Sequence, residues 1–191
     1  MLVSLVVLGA AVLTQQLSAY GDNPFLARNP HSQAEIPVSA AALATSTPVW
    51  EPVIRVIDGD TIVVMHQGAT TTVRLIGVDT PEVVDPRKPV QCFGREASAQ
   101  TKLLLTGQSV HLEFDPSQGV LDKYGRTLAY VWAPLNSDPQ GFLVDEYLIS
   151  EGYGHEYTYD VPYKYQAEFN AAQAEAKQQQ KGLWAPGVCG K

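Results

Sequence analysis

Hydrophobic and polar positions change rhythm several times along this chain of 191 residues. The N-terminal stretch carries an apolar run, LVSLVVLGAAVL (2–13), and residues 1–19 contain no Asp, Glu, Lys or Arg. Followed by the small residues Ser18 and Ala19, this resembles a secretory signal peptide. The other use of such a segment is a retained membrane anchor, but a span needs roughly 20 apolar residues and Gln15 and Gln16 cut the run short. The side before the run offers only the terminal amine as a positive charge, which is atypical for a leader. Residues 20–50 are rich in Ala, Pro, Ser and Thr and keep neither a helical nor a strand period, so they read as a flexible linker.

From residue 51 the pattern becomes that of a folded domain, 51–191. PVIRVID, DTIVVMH and TTTVRLIGV are short β-branched runs separated by turn signals at Asp58-Gly59 and Gln67-Gly68, which predicts a three-stranded meander. A Pro-rich loop (80–92) leads into EASAQTKLLL, of helical composition and closed by Gly107. Two further strands are predicted at 108–115 and 126–133, then helices at 142–152, ending at Gly152, and 165–182, with Phe169, Ala172 and Ala176 on one face. The order is that of an α+β fold, a five-stranded OB-type β-barrel with three helices, an architecture that commonly binds oligonucleotides. The Gln-rich tract 178–180 reads as a solvated helix face.

Composition refines this picture in two respects. Two cysteines, Cys92 and Cys189, form an even count, which in an exported protein points to a disulfide bond; two free thiols are the alternative. A bridge would close a loop of about 100 residues and contribute ~4 kcal/mol in the chain-entropy description. The formal net charge of -7 is opposite to that of most nucleic-acid binders. Between Arg74 and Arg126, however, Arg and Lys equal the carboxylates in number, and the acidic excess falls elsewhere, notably in 138–175. For a nucleic-acid partner, capture weaker and more salt-sensitive than by a basic protein is expected.

Several residues carry candidate chemistry. Asp60 and Asp79 are hard carboxylate ligands suited to Ca²⁺, Arg74 and Arg126 are forks suited to a phosphate, and Glu82 is a carboxylate able to act on water. Each has a plainer use. Asp58-Gly59-Asp60 could be an ordinary hairpin turn, Asp79 a backbone cap in a Pro turn, and Arg126 a solvent-facing charge. Arg74 lies within an apolar strand, where an unpaired guanidinium is costly, so it must meet a carboxylate or an anion. Strand alternation from Arg74 places the turn with Asp79, Thr80 and Glu82 at the mouth of a pocket, beside Asp60 at the start of the neighbouring strand.

Taken in order, VIDGDT, VRLIGVDTPE, GREAS, DKYGRTLAYVWA and KGLW resemble the staphylococcal nuclease (thermonuclease) family over residues 51–186. The resemblance implies a calcium-dependent enzyme that hydrolyses DNA and RNA at the P–O5′ bond and leaves 3′-phosphate ends. It makes Asp60, Asp79 and the carbonyl of Thr80 metal ligands, and Arg74, Glu82 and Arg126 catalytic. Lys123 and Tyr124 would bind a terminal phosphate, and Tyr157 and Tyr159 would lie near the nucleotide, although the spacing of GHEYTYDVPY departs from the family pattern and the tyrosines could serve packing instead. His111 and His155 receive no role. A monomer is expected, exported to the medium, the periplasm or the cell surface, and in contact with a membrane only if the N-terminal segment is retained. The rival reading, a non-catalytic OB-fold nucleic-acid-binding module, is opposed by the joint presence of Asp60, Arg74, Asp79, Glu82 and Arg126. A sugar transferase using Asp58-Gly59-Asp60 is opposed by the domain's size.

Overall fold

A computed structural model describes residues 47–190, Lys88 and Ser137 excepted. The expected leader, the linker up to residue 46 and Lys88 lie outside the described residues. Trp50, within the expected linker, meets His111 edge-on with ring centroids 6.4 Å apart, so ordered packing begins ahead of residue 51.

The β-branched runs form the expected antiparallel meander, β1 (Glu51–Asp58), β2 (Thr61–His66) and β3 (Ala69–Leu75). Gln67 and Gly68, at φ 50° and 81°, make the two-residue connection between β2 and β3 whose backbone twist suits a hairpin. In β2, Ile62, Val63 and Val64 are all buried, so this strand has no solvent face and no alternation to read. The pair Val78–Asp79 forms a very short β4, α1 spans Gly94–Leu105, and β5 (Ser109–Glu113) returns beside β1. β6 (Thr127–Leu135) pairs with β5 and then meets β3 in parallel, from Val73 opposite Thr127 to Leu75 opposite Ala129. That contact closes five strands into a barrel around a core that includes Ile62, Val73, Leu75, Val110, Leu112 and Val131.

Two element boundaries differ from expectation. The helix expected at 142–152 is shorter, α2 (Val144–Ser150), because Phe142 and Leu143 belong to β7 (Asp138–Leu143), paired with β6. Pro139 and Gly141 hid that strand, being poor strand formers tolerated at a sheet edge. The helix expected at 165–182 stops at Gln178 (α3, Gln166–Gln178), since Gln180 and Gly182 take positive φ, and a 3₁₀ turn follows at Gly182–Trp184. β8 (His155–Glu156) pairs with β4 and was not expected. Cys92 and Cys189 are joined in a disulfide that ties the C-terminal segment to the residue before Phe93, the cap of α1.

Two buried carboxylates hold these layers in opposite ways. Asp115 accepts hydrogen bonds from the Ser117 amide and hydroxyl, the Tyr130 hydroxyl and the Lys164 amide, at 2.8 to 2.9 Å. Burial works against its charge, but these donors prevail and hold its carboxyl below the ordinary range. Asp145 is wholly buried; its Oδ2 accepts the Val131 amide at 2.9 Å and its Oδ1 has no partner among the described residues. Burial pushes its carboxyl well above the ordinary value of 3.8.

Asp115→Ala is expected to cost at least about 2 kcal/mol of stability at pH 7, since several buried donors lose one charged acceptor. The wild type should lose that contribution as pH falls below the ordinary carboxylate range, because the depressed folded-state value makes the unfolded chain take up its proton first. For Asp145 the sign reverses: above pH 3.8 the unfolded chain loses a proton that the folded chain keeps, so stability falls as pH rises. Asp145→Asn should therefore melt higher than wild type at pH 7, by on the order of 1–3 kcal/mol, and the difference should vanish below about pH 4. Thermal melts of both variants across pH 3.5–8 check both signs.

Candidate active site

The site lies where the β1–β2 turn meets the segment after β3. Two glycines allow that approach. A Cβ on Gly59 would stand 2.6 Å from Oγ1 of Thr80, and one on Gly77, at φ 77°, would stand 2.7 Å from the Tyr163 ring. The segments are then joined by polar contacts: Asp60 Oδ2 accepts the Thr80 amide at 2.9 Å, and Asp58 accepts the amides of Gly59 at 2.8 Å and Val83 at 3.3 Å.

Arg74 is the centre of the cluster. From β3 its Nη1 reaches Asp60 Oδ2 at 2.7 Å and the Val78 carbonyl at 2.9 Å, while Nη2 reaches Asp79 Oδ1 at 2.8 Å. Asp60 Oδ1 in turn accepts the Thr61 hydroxyl at 2.9 Å, and that hydroxyl oxygen accepts Arg126 Nη1 at 3.3 Å. Arg126 Nε is held by Asp122 Oδ2 at 2.6 Å, with the guanidinium over the Tyr124 ring. One unbroken chain of contacts thus runs from Asp122 through Arg126, Thr61, Asp60 and Arg74 to Asp79.

The carboxylates crowd one another. Partial burial raises the Asp79 carboxyl; Arg74 offsets this in part and the charge of Asp60 adds to it. Asp58 is pushed up to about 6, first by burial and then by the charge of Asp60 against the opposing Gly59 amide, and it shares a hydrogen bond with Glu82. Burial opposes the charge of Glu82, yet the amides of Val84 and Asp85, donating to its Oε1 at 2.7 and 3.1 Å, together with Asp58 keep it below its ordinary range. As pH falls toward about 6 the pair therefore takes up its first proton on Asp58, while Glu82 stays ionised.

A cleft of about 550 Å³ opens beside this edge. Arg74, Asp79 and Arg126 line one part of it, and Lys123, Tyr124, Tyr157 and Tyr159 another. Lys123 Nζ lies over the rings of Tyr124 and Tyr159, at 5.2 and 5.6 Å from their centroids. Asp60 and Thr80 stand behind the wall, both buried, and reach it through Arg74 and the Asp60–Thr80 contact. Glu82 is not among the lining residues; the 82–91 loop holds it against Asp58, with its own amide donated to Gln91 Oε1 at 2.8 Å. Sequence reasoning passed over Asp58, Thr61 and Asp122 as functional parts, although Asp58 and Thr61 stand inside VIDGDT and Asp122 opens DKYGR. It also left out His155, which β8 sets opposite Asp79.

Residues 72–186 match the family described as staphylococcal nuclease homologue. A thermonuclease of Staphylococcus hyicus is 44% identical over 149 residues, covering 78% of this chain and 83% of that protein. The chain belongs to the staphylococcal nuclease family. A thermonuclease of Staphylococcus intermedius is 46% identical over 130 residues (68% of this chain, 73% of that protein), and endonuclease YncB of Bacillus subtilis 40% over 132 residues (69% and 59%). As a member of the staphylococcal nuclease family the protein is a nuclease, a phosphodiester hydrolase with a nucleic-acid substrate. The barrel and its helices are those expected of the family.

Proposed function

We propose that this nuclease hydrolyses both DNA and RNA with Ca²⁺, breaking the P–O5′ bond and leaving 3′-phosphate ends. The observation that carries the reading is the unbroken chain from Asp122 to Asp79, which sets the Arg74 and Arg126 guanidinium groups with Asp79 and Asp122 along one cleft edge and Asp60 behind it. The cleavage position and the choice of cation rest on the resemblance of the motifs.

The donors suit a hard divalent cation. Among the described residues no group of three or more His, Cys, Asp or Glu is gathered as a ready-made metal cage. Asp60 and Asp79 nevertheless repel each other, and Arg74 alone faces both, so the edge has negative charge to spare for an ion held by the two carboxylates and the Thr80 carbonyl. When bound, Ca²⁺ would polarise the phosphate and draw water to it. Arg74 and Arg126 compensate the charge that grows on the phosphorus oxygens as water adds, where a preoriented fork is most effective. Glu82, kept ionised and held in place by the Val84 and Asp85 amides, is the acceptor for the proton of the attacking water. Lys123 and Tyr124 take a neighbouring phosphate, and Tyr157 and Tyr159 offer aromatic faces to the nucleotide at the same cleft. Export of a monomer is the setting we assign, supported by the apolar run 2–13 and by the disulfide.

Digestion of single- and double-stranded DNA and of RNA should proceed with Ca²⁺ and stop with a Ca²⁺ chelator, and the products should carry 3′-phosphates by end-group labelling; undiminished cleavage in chelator sinks the metal assignment. Glu82→Gln should leave Ca²⁺ binding measurable by calorimetry while turnover falls ~10²–10⁴-fold. Arg74→Lys, which keeps the charge and loses the fork, should slow cleavage by at least ~10²-fold. Near-wild-type turnover in Glu82→Gln would remove it as the base.

A further inference from the structure

A second concavity, also of about 550 Å³, shares a wall with the cleft just described. Val78 and Asp79 line the first cleft and Pro81 lines the second, so the short segment carrying the candidate metal ligands divides them. Across β8 the division repeats, with Tyr157 in the first and His155, opposite Asp79, in the second. The second concavity is completed by Leu183, Trp184, Ala185 and Pro186 of the C-terminal segment, which the Cys92–Cys189 bridge holds in place. Gln91 also lines it, and the same side chain accepts the Glu82 amide.

The chemistry of this second wall favours a nucleotide. No Asp or Glu lines it, in a protein whose net charge is -7. Lys177 Nζ lies 4.5 Å from the Trp184 ring centroid and brings positive charge to its edge. The Trp184 indole N–H is buried and has no acceptor among the described residues. Both concavities fall in the size range of small-ligand sites.

We infer that the Trp184–His155–Gln91 concavity is a second nucleotide subsite, holding the nucleotide on the opposite side of the scissile phosphate from the one in the Lys123–Tyr159 cleft. The inference rests on reading the Asp60–Arg74–Asp79 edge as the place where the phosphodiester is cut. A polynucleotide laid over that edge has one nucleotide on each side of the dividing segment. Because Gln91 meets both the subsite and the Glu82 amide, occupation would also steady the loop that carries Glu82.

The test uses dinucleotides, whose single linkage fixes the register. In the wild-type protein with Ca²⁺, a dinucleotide whose linkage has CH₂ in place of the 5′ oxygen, and so cannot be cut, carries 5-iodouracil on one base or the other. Irradiation and peptide mapping should place one base on Tyr157 or Tyr159 and the other on Trp184 or His155. Crosslinks of both bases to the first cleft alone would overturn the subsite. In parallel, KM for a cleavable dinucleotide is compared with that of its analogue lacking the far-side base. Loss of that base should raise KM about fivefold or more in wild type, and Ala185→Trp, which fills the second concavity, should abolish the difference. An unchanged difference in a variant that melts like wild type would also overturn it. If wild type cuts no substrate while the crosslinks fall as expected, the cleavage reading fails and the binding site stands.

Discussion

A guanidinium that is nearly buried must be neutralised, and the site is built around that requirement. Arg74, its side chain only 13% exposed, projects from the strand that closes the barrel, and its charge is met by Asp60 from the preceding turn and Asp79 from the segment beyond. Loss of either partner would leave charge uncompensated in a poorly solvated place, so the turn before β2, the strand β3 and the segment after it are held in one arrangement. The consequence reaches further, because Thr61 passes the contact on to Arg126 and Asp122 fixes Arg126 from the other side.

The barrel supplies the rigidity that this arrangement uses. β3 and β6 pair in parallel, so Arg74 lies opposite Leu128, close to Arg126 just ahead of β6. A one-residue slip would turn Arg74 toward the core and Val73 toward the cleft. The buried run Ile62–Val64 of β2, between β1 and β3, opposes such a slip by its apolar contacts. The contact between Asp58 and Glu82 couples the β1–β2 turn to the segment carrying Glu82, so ionisation of the candidate base depends on where the turn sits.

The acidic composition has a structural meaning. Asp58, Asp60, Asp115, Asp122 and Asp145 each accept backbone amides, and Glu113 accepts Trp132, Lys164 and Tyr165. These carboxylates act as internal connectors rather than as a uniformly repelling surface. Net charge alone is therefore a poor guide to the partner; the local balance around Arg74, Lys123 and Arg126 is the relevant quantity.

The sequence by itself determined the barrel's first strands, the Gln67-Gly68 turn and the motifs whose residues line the cleft, because these depend on local periodicity, turn chemistry and short-range order. It also determined that Arg74 needed a carboxylate or another anion as partner, since burial of a lone charge is unfavourable wherever it occurs. Only the tertiary structure decided which partners. The two-residue pair of β4 and β8 and the Asp58–Glu82 contact join residues far apart in the chain. No local pattern encodes them, because their free energy comes from contacts that exist only after the barrel has closed and brought those segments within hydrogen-bonding or bonding distance.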